Sequence, residues 1–325
     1  SLVIDRASLN IDLAPWLSLT GGRFRNPFVG TDLLWSDYLN FEGAAMTLKP
    51  QLIASTATFL TAGWFPLSLG VPNQSKQKSM LGIQGGVDWQ FGTKDNHFKL
   101  ATGFYDYRNI EGVLQTQASY NASAVDYLAS QYGPAGYTQY GNTLFRINAP
   151  LSIDPGTNWG LASHFRELDV TGTADVVQSG AMHAILTGDV VKNLGFDRTD
   201  IFNRTGVRLE DGKSLGYLVK AQYGNPTTYK KDEWNVSLGY RYLGSDAVLD
   251  AFTNADFGAV AGLGCTNCKG MTLEGRYGLA TNTWLAARWM STNLIDSMVP
   301  TSSSYSPATT KFSTDIIQVD LNTKF

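Results

Sequence analysis

The 325-residue chain has only two cysteines, only three histidines and no long apolar run. Each shortage removes a class of protein. A membrane-spanning helix needs about 20 consecutive apolar residues. Here the apolar runs are short and interrupted at every second position, which excludes a helical membrane protein. Charge of one sign is also missing. Lys and Arg number 25 against 28 Asp and Glu, for a net charge of −3, so there is no basic footprint for nucleic acid and none is expected as a partner. Cys265 and Cys268 form a single C-x-x-C. A four-sulfur metal site would need a second pair, and haem attachment would need His where Lys269 stands. Neither a metal nor any other cofactor is expected. The preferred state is a local disulfide between Cys265 and Cys268 in an oxidising compartment, with free thiols or an intermolecular site as alternatives. No basic region followed by an apolar stretch opens the chain at Ser1, so the expectation is that a signal peptide was removed or that the sequence starts late.

What is present is alternation. Segments of about 10 residues, the length of a tilted membrane strand, alternate apolar with polar positions and are separated by turn residues. Counting back from Phe325, the set Phe325, Thr323, Leu321, Val319 and Ile317 alternates with Lys324, Asn322, Asp320 and Gln318. For an outer-membrane barrel, Leu321, Thr323 and Phe325 are the expected C-terminal assembly signal, through which barrel-assembly machinery would engage the last strand. Met271, Leu273, Gly275, Tyr277 and Leu279 alternate with Thr272, Glu274 and Arg276; Trp234, Val236, Leu238, Tyr240 and Tyr242 alternate with Asn235, Ser237 and Arg241. The same holds around Val219, Val170 and Ile83. A soluble sandwich also alternates, but here Trp16, Trp64, Trp89, Phe104 and Tyr240 cluster where the segments stop, as interfacial girdles do.

The connections fall into two kinds that alternate strictly. Short ones lie at 14–16, 49–55, 92–97, 178–181, 225–233 and 281–283. Long ones lie at 26–38, 66–78, 111–157, 194–213, 249–270 and 296–311. Short inner turns and long outer loops are the pattern of a transmembrane antiparallel up-and-down β-barrel, all-β and a single domain over 1–325. Thirteen strands are expected, at roughly 2–13, 17–25, 39–49, 56–65, 79–91, 98–108, 166–177, 182–193, 214–224, 233–245, 271–280, 283–294 and 312–325. Bacterial single-chain barrels have an even strand number, so the expectation is 14 strands with one upstream of Ser1; 12 or 16 are the alternatives. A competing reading folds an extra hairpin from 142–153 and 158–165.

Three stretches carry a family resemblance: Gly22-Arg23-Phe24-Arg25-Asn26-Pro27-Phe28, Leu39-Asn40-Phe41-Glu42-Gly43, and Tyr240-Arg241-Tyr242-Leu243 running on through Asp246 to Thr253 and Asp256-Phe257-Gly258. Together they resemble the putative porin family of Gram-negative bacteria. The resemblance implies an outer-membrane barrel that passes small hydrophilic solutes, with lipid and lipopolysaccharide around it and a homo-oligomer as an open option. The cysteine pair departs from the Gly-Thr-Asn turn that the family places there.

Lumen charge carries the functional expectation. The residues expected to line a pore are Arg6, Arg23, Arg25, Lys99, Lys220, Arg241, Arg276 and Arg288 among cations, and Asp12, Glu42, Asp88, Asp169, Asp175, Asp189, Glu274 and Asp320 among anions. Facing rows of opposite charge order water and slow apolar solutes. Arg23 and Arg25, beside Gly21-Gly22, are the cations expected near a constriction. The 111–157 connection is too long to be structureless, and an infolded loop there, with helical spacing over 122–131, competes with an exposed one. Three other classes stay open: a plugged barrel that binds a partner, an anchor for the outer membrane, and a hydrolase built on Ser163-His164 or on His183 with Asp189. No catalytic site is expected, because a nucleophile, base and orienting group are barely available.

Overall fold

A computed structural model describes residues 5–50, 55–67, 77–92, 95–114, 132, 141–148, 158–258, 266–296, 304–305 and 313–324. Leu2, Cys265, Phe325 and the 122–131 segment lie outside the described residues. Thirteen strands form one antiparallel sheet in chain order: β1 (Ala7–Ala14), β2 (Leu17–Arg25), β3 (Asn40–Leu48), β4 (Thr56–Pro66), β5 (Ser79–Phe91), β6 (Asn96–Arg108), β9 (Arg166–Ser179), β10 (Met182–Asn193), β11 (Leu215–Gly224), β12 (Trp234–Leu243), β13 (Cys268–Ala280), β14 (Thr283–Leu294) and β16 (Ser313–Thr323). Each falls where alternation placed it. The competing hairpin forms differently. β7 (Leu144–Arg146) pairs with β8 (Trp159–Leu161), but with β15 (Ser304–Tyr305) they make a separate three-stranded sheet and add nothing to the main one.

Successive residues of a strand point to opposite faces, and the two faces here differ in kind. One is bare: Leu9, Ile11, Leu60, Trp64, Ile83, Trp89, Val170, Leu186, Val219, Leu238, Leu273, Trp289 and Val319 are all exposed on it. The other is covered by chain segments that return across it, chiefly 26–39 and 244–258, and it carries the main buried cluster. No helix among the described residues is long and apolar enough to cross a membrane.

The sheet curls strongly toward its covered face. Trp35 packs on Phe41 of β3 at 5.2 Å between ring centroids, while Asp32, less than one turn earlier, lies 3.8 Å from Arg241 of β12. Seven strand-to-strand steps separate β3 from β12 in the sheet order, about 34 Å if the sheet were flat. The Thr31–Trp35 turn, closed by the Trp35 amide donating to the Thr31 carbonyl at 3.1 Å, is far too short to bridge that gap. No ladder pairs β1 with β16 among the described residues.

Candidate functional site

Segment 26–39 enters the covered face because its apolar side chains find a prepared floor. Phe28, Leu33, Leu34 and Trp35 are buried against Phe24, Phe41, Phe65, Met80 and Tyr105. The contacts are mostly edge-to-face, with Phe28–Tyr105 centroids at 5.0 Å and Trp35–Tyr105 at 4.9 Å, the arrangement favoured by the ring quadrupole. Gly82 leaves the room that Phe28 uses: a Cβ there would come within 2.6 Å of the Phe28 ring. Polar contacts fix the register. The Gln84 side chain of β5 accepts from the Val29 amide at 2.7 Å and donates to the Val29 carbonyl at 2.6 Å. Thr31 donates to Asp189 of β10 at 2.6 Å.

Segment 244–258 holds the other side. The Ser36 amide donates to the Phe252 carbonyl at 2.7 Å and the Thr253 hydroxyl to the Leu33 carbonyl at 2.7 Å. Arg241 in turn donates to Thr253 at 2.5 Å and lies 4.8 Å over the Phe257 ring. Two buried carboxylates tie this segment to residues 141–143. Asp250 accepts the amides of Gly141 and Asn142 at 2.7 and 2.9 Å and the Tyr132 hydroxyl; Asp246 accepts the amide and hydroxyl of Thr143 at 3.0 and 2.6 Å. Burial outweighs these donors and pushes Asp250 up to about 6. The same cause raises Asp246.

Between segment 26–39 and strands β11–β14 lies a cavity of about 290 Å³. Asp32 and Asp37 form its edge on the segment, and Lys220, Arg276 and Arg288 form the opposite wall. Glu274 sits beneath that wall, buried, and accepts from Arg276 and from Arg288, the latter at 2.7 Å. Lys220 and Asp37 make no ion pair among the described residues. Asp37 is exposed at the cavity's edge, yet desolvation by the surrounding chain, then the neighbouring Asp32, raise its carboxyl, while Arg288, Lys220 and Arg276 oppose the rise. A second cavity, about 910 Å³, is lined by Thr20, Thr47, Thr61, Asp88, His97 and Lys99. Opposed charges across a narrow gap order water and discriminate among charged solutes.

The expected charged residues separate into groups. Lys220, Arg241, Glu274, Arg276 and Arg288 meet at the smaller cavity, and Arg25, Asp88 and Lys99 meet at the larger one. Asp169 and Asp189 are wholly buried on the covered face, in the β9–β10 pair, and Asp175 faces His183 Nδ1 at 2.6 Å. Asp12 and Asp320 alternate with exposed apolar neighbours of the bare face, and Arg6 pairs with Asp5 at 3.4 Å. Arg23 and Glu42 depart from the expectation. They are cross-strand partners next to Phe24 and Phe41, and since those two rings are buried on the covered face, alternation puts Arg23 and Glu42 on the bare one. The aromatic floor for segment 26–39 takes the covered positions in their place.

Asp32 and Asp37 were missed, as was the infolding of 26–39, although Phe28-Val29 and Leu33-Leu34-Trp35 are an unusual apolar load for an outer loop. Cys268 is a buried free thiol packed with Phe257, Met290 and Leu294; its expected partner Cys265 lies outside the described residues. Leu321 and Thr323 lie on the edge strand β16, with Leu321 exposed. The Ser163 hydroxyl donates to the His164 carbonyl at 3.0 Å rather than to its ring, and the His164 ring faces Glu111 at 2.6 Å. That hydrogen bond with His164 lowers the Glu111 carboxyl.

In comparison with known proteins, a family model described as a putative porin matches residues 1–325. No curated protein matches the chain.

Proposed function

The chain belongs to the putative porin family, and from that premise we propose that it is an outer-membrane porin giving weakly selective passage to small hydrophilic solutes or ions. One observation carries the reading: a curled sheet whose bare face is apolar with exposed Trp and Tyr, while its covered face holds charged, solvent-sized cavities. Such a bare face suits lipid, since exposed apolar area on this scale is not left to water. Segment 26–39, pinned from β5 to β12, acts as the constriction element.

In this reading the sheet closes as a barrel. Backbone groups along the free edges of β1 and β16 cannot be left unpaired in lipid, and an even total is the rule for bacterial single-chain barrels. One further strand between β1 and β16 supplies both, giving fourteen. Lipid and lipopolysaccharide then surround the barrel, and the C-terminal strand is the segment that assembly machinery would engage. Purified protein in a planar bilayer tests the reading: stepwise ion conductance supports it. Folded, inserted protein without conductance would favour a plugged barrel that binds or anchors a partner through its outer segments.

A further inference from the structure

We infer that the cavity between Asp37 and Lys220 is a subsite for small zwitterionic solutes of the α-amino-acid class. This rests on the porin reading and goes beyond it by naming what the constriction favours.

The cavity presents one carboxylate, Asp37, and one ammonium, Lys220, that make no ion pair among the described residues. On one side Glu274 is shared by two guanidiniums, Arg276 and Arg288, so that wall keeps cationic charge and unused N–H donors, to which Lys220 adds a third cation. An arginine has five donors in a planar fork, and one carboxylate cannot occupy those of two arginines. On the other side Asp32 accepts from Asn254 at 3.0 Å and lies 3.8 Å from Arg241, while Asp37 makes no ion pair among the described residues. Two oppositely charged side chains line one cavity without pairing: Lys220 stands on β11 of the sheet, and Asp37 on the segment pinned at Gln84 and Asp189.

Each solute charge type meets these walls differently. A simple anion is drawn to Lys220, Arg276 and Arg288 but repelled by Asp37, since Asp32 is paired with Arg241. A simple cation meets the reverse, and a neutral solute gains from neither wall. A zwitterion lying across the gap gains from both at once, carboxylate to the arginine wall and ammonium to Asp37. The volume, about 290 Å³, is at the small end of ligand pockets, which restricts the class to compact solutes. Contacts of this number are also weak enough to release the solute, as conduction requires.

Protein-dependent entry into proteoliposomes of four three-carbon solutes of nearly equal size tests this: L-alanine (zwitterion), lactamide (neutral), lactate (anion) and alaninamide (cation). The intact protein is expected to admit alanine about tenfold faster than lactamide, a difference equivalent to about 1.4 kcal/mol. Asp37→Asn should bring the alanine-to-lactamide ratio toward one and favour lactate. Lys220→Gln should do the same and favour alaninamide. Lactamide entry in each variant shows that a folded channel is present. If lactamide enters and alanine is no faster, the zwitterion subsite is wrong and the porin reading stands. If no solute enters through inserted protein, both fall.

Discussion

Removing the indole of Trp35 is the sharpest perturbation of the proposed constriction. Trp35 is only 3% exposed and touches Phe41, Tyr105, Phe28 and Phe252, with ring centroids at 5.2, 4.9, 6.3 and 6.1 Å. Trp35→Ala forfeits a large buried side chain and leaves a hole in a rigid floor, a loss of about 3–5 kcal/mol. Because about 1.4 kcal/mol is tenfold, the ratio of seated to released segment should fall by a factor on the order of one hundred to several thousand. The fixing contacts of Gln84 and Thr31 remain but no longer act on a preorganised turn. Single-channel recording should show larger mean conductance with added noise from a segment moving in and out. Trp89→Ala, on the bare face and half exposed, serves as the control and should leave conductance near the parent value. A Trp35→Ala channel with parent conductance and parent noise would refute the claim that this segment narrows the passage.

Thr31→Val removes the donor to Asp189 and leaves a buried carboxylate oxygen without it, which should loosen the segment by about 1–3 kcal/mol and raise open-channel noise. Lys220→Gln combined with Arg276→Gln should shift the reversal potential in a salt gradient toward cations more than Arg23→Gln combined with Arg25→Gln, because Arg23 lies on the bare face; equal shifts would contradict the placement. Asp250 is raised to about 6 in the folded protein, so its contribution is full below the ordinary carboxylate range near pH 4 and is lost as pH rises through about 6. Amides of Gly141 and Asn142, corrected for intrinsic exchange, should therefore be better protected at pH 4.5 than at pH 7.5. Gly258 has φ of +78° and a Cβ there would meet Cys268 Sγ at 2.4 Å; Gly258→Ala should lower the thermal midpoint and expose Cys268 to maleimide, which in the parent protein should react only after unfolding.

Strand positions were legible because a two-sided environment imposes period two. Leu273 against Glu274 and Val219 against Lys220 are on the faces that alternation predicts, and all thirteen strands of the sheet appear in their expected places. The β2–β3 pair was less legible. Phe24 and Phe41 would suit lipid as well as a buried loop, and only the arrival of Phe28 and Trp35 decides between them, a contact between segments that no local pattern encodes. The constriction was opaque for the same reason. Length marked 111–157 as the connection to watch, yet a described segment that crosses the covered face is 26–39, held by Gln84 and Asp189, which lie 55 and 158 residues from their partners. The charged cavity was half visible: Lys220, Arg241, Glu274, Arg276 and Arg288 follow from alternation, whereas Asp32 and Asp37 belong to a segment whose path depends on tertiary packing.

The central claim is that solutes cross through a lumen narrowed by segment 26–39. Asp37→Cys places a reactive thiol at that gap, and single-channel conductance in a planar bilayer can be followed while a bulky thiosulfonate reagent is added, with the parent protein treated alongside to account for Cys265 and Cys268. The account predicts a stepwise fall in conductance of the Asp37→Cys channel and none in the parent. Current that persists unchanged after modification shown by mass to be complete, or inserted protein that carries no current before it, would contradict it.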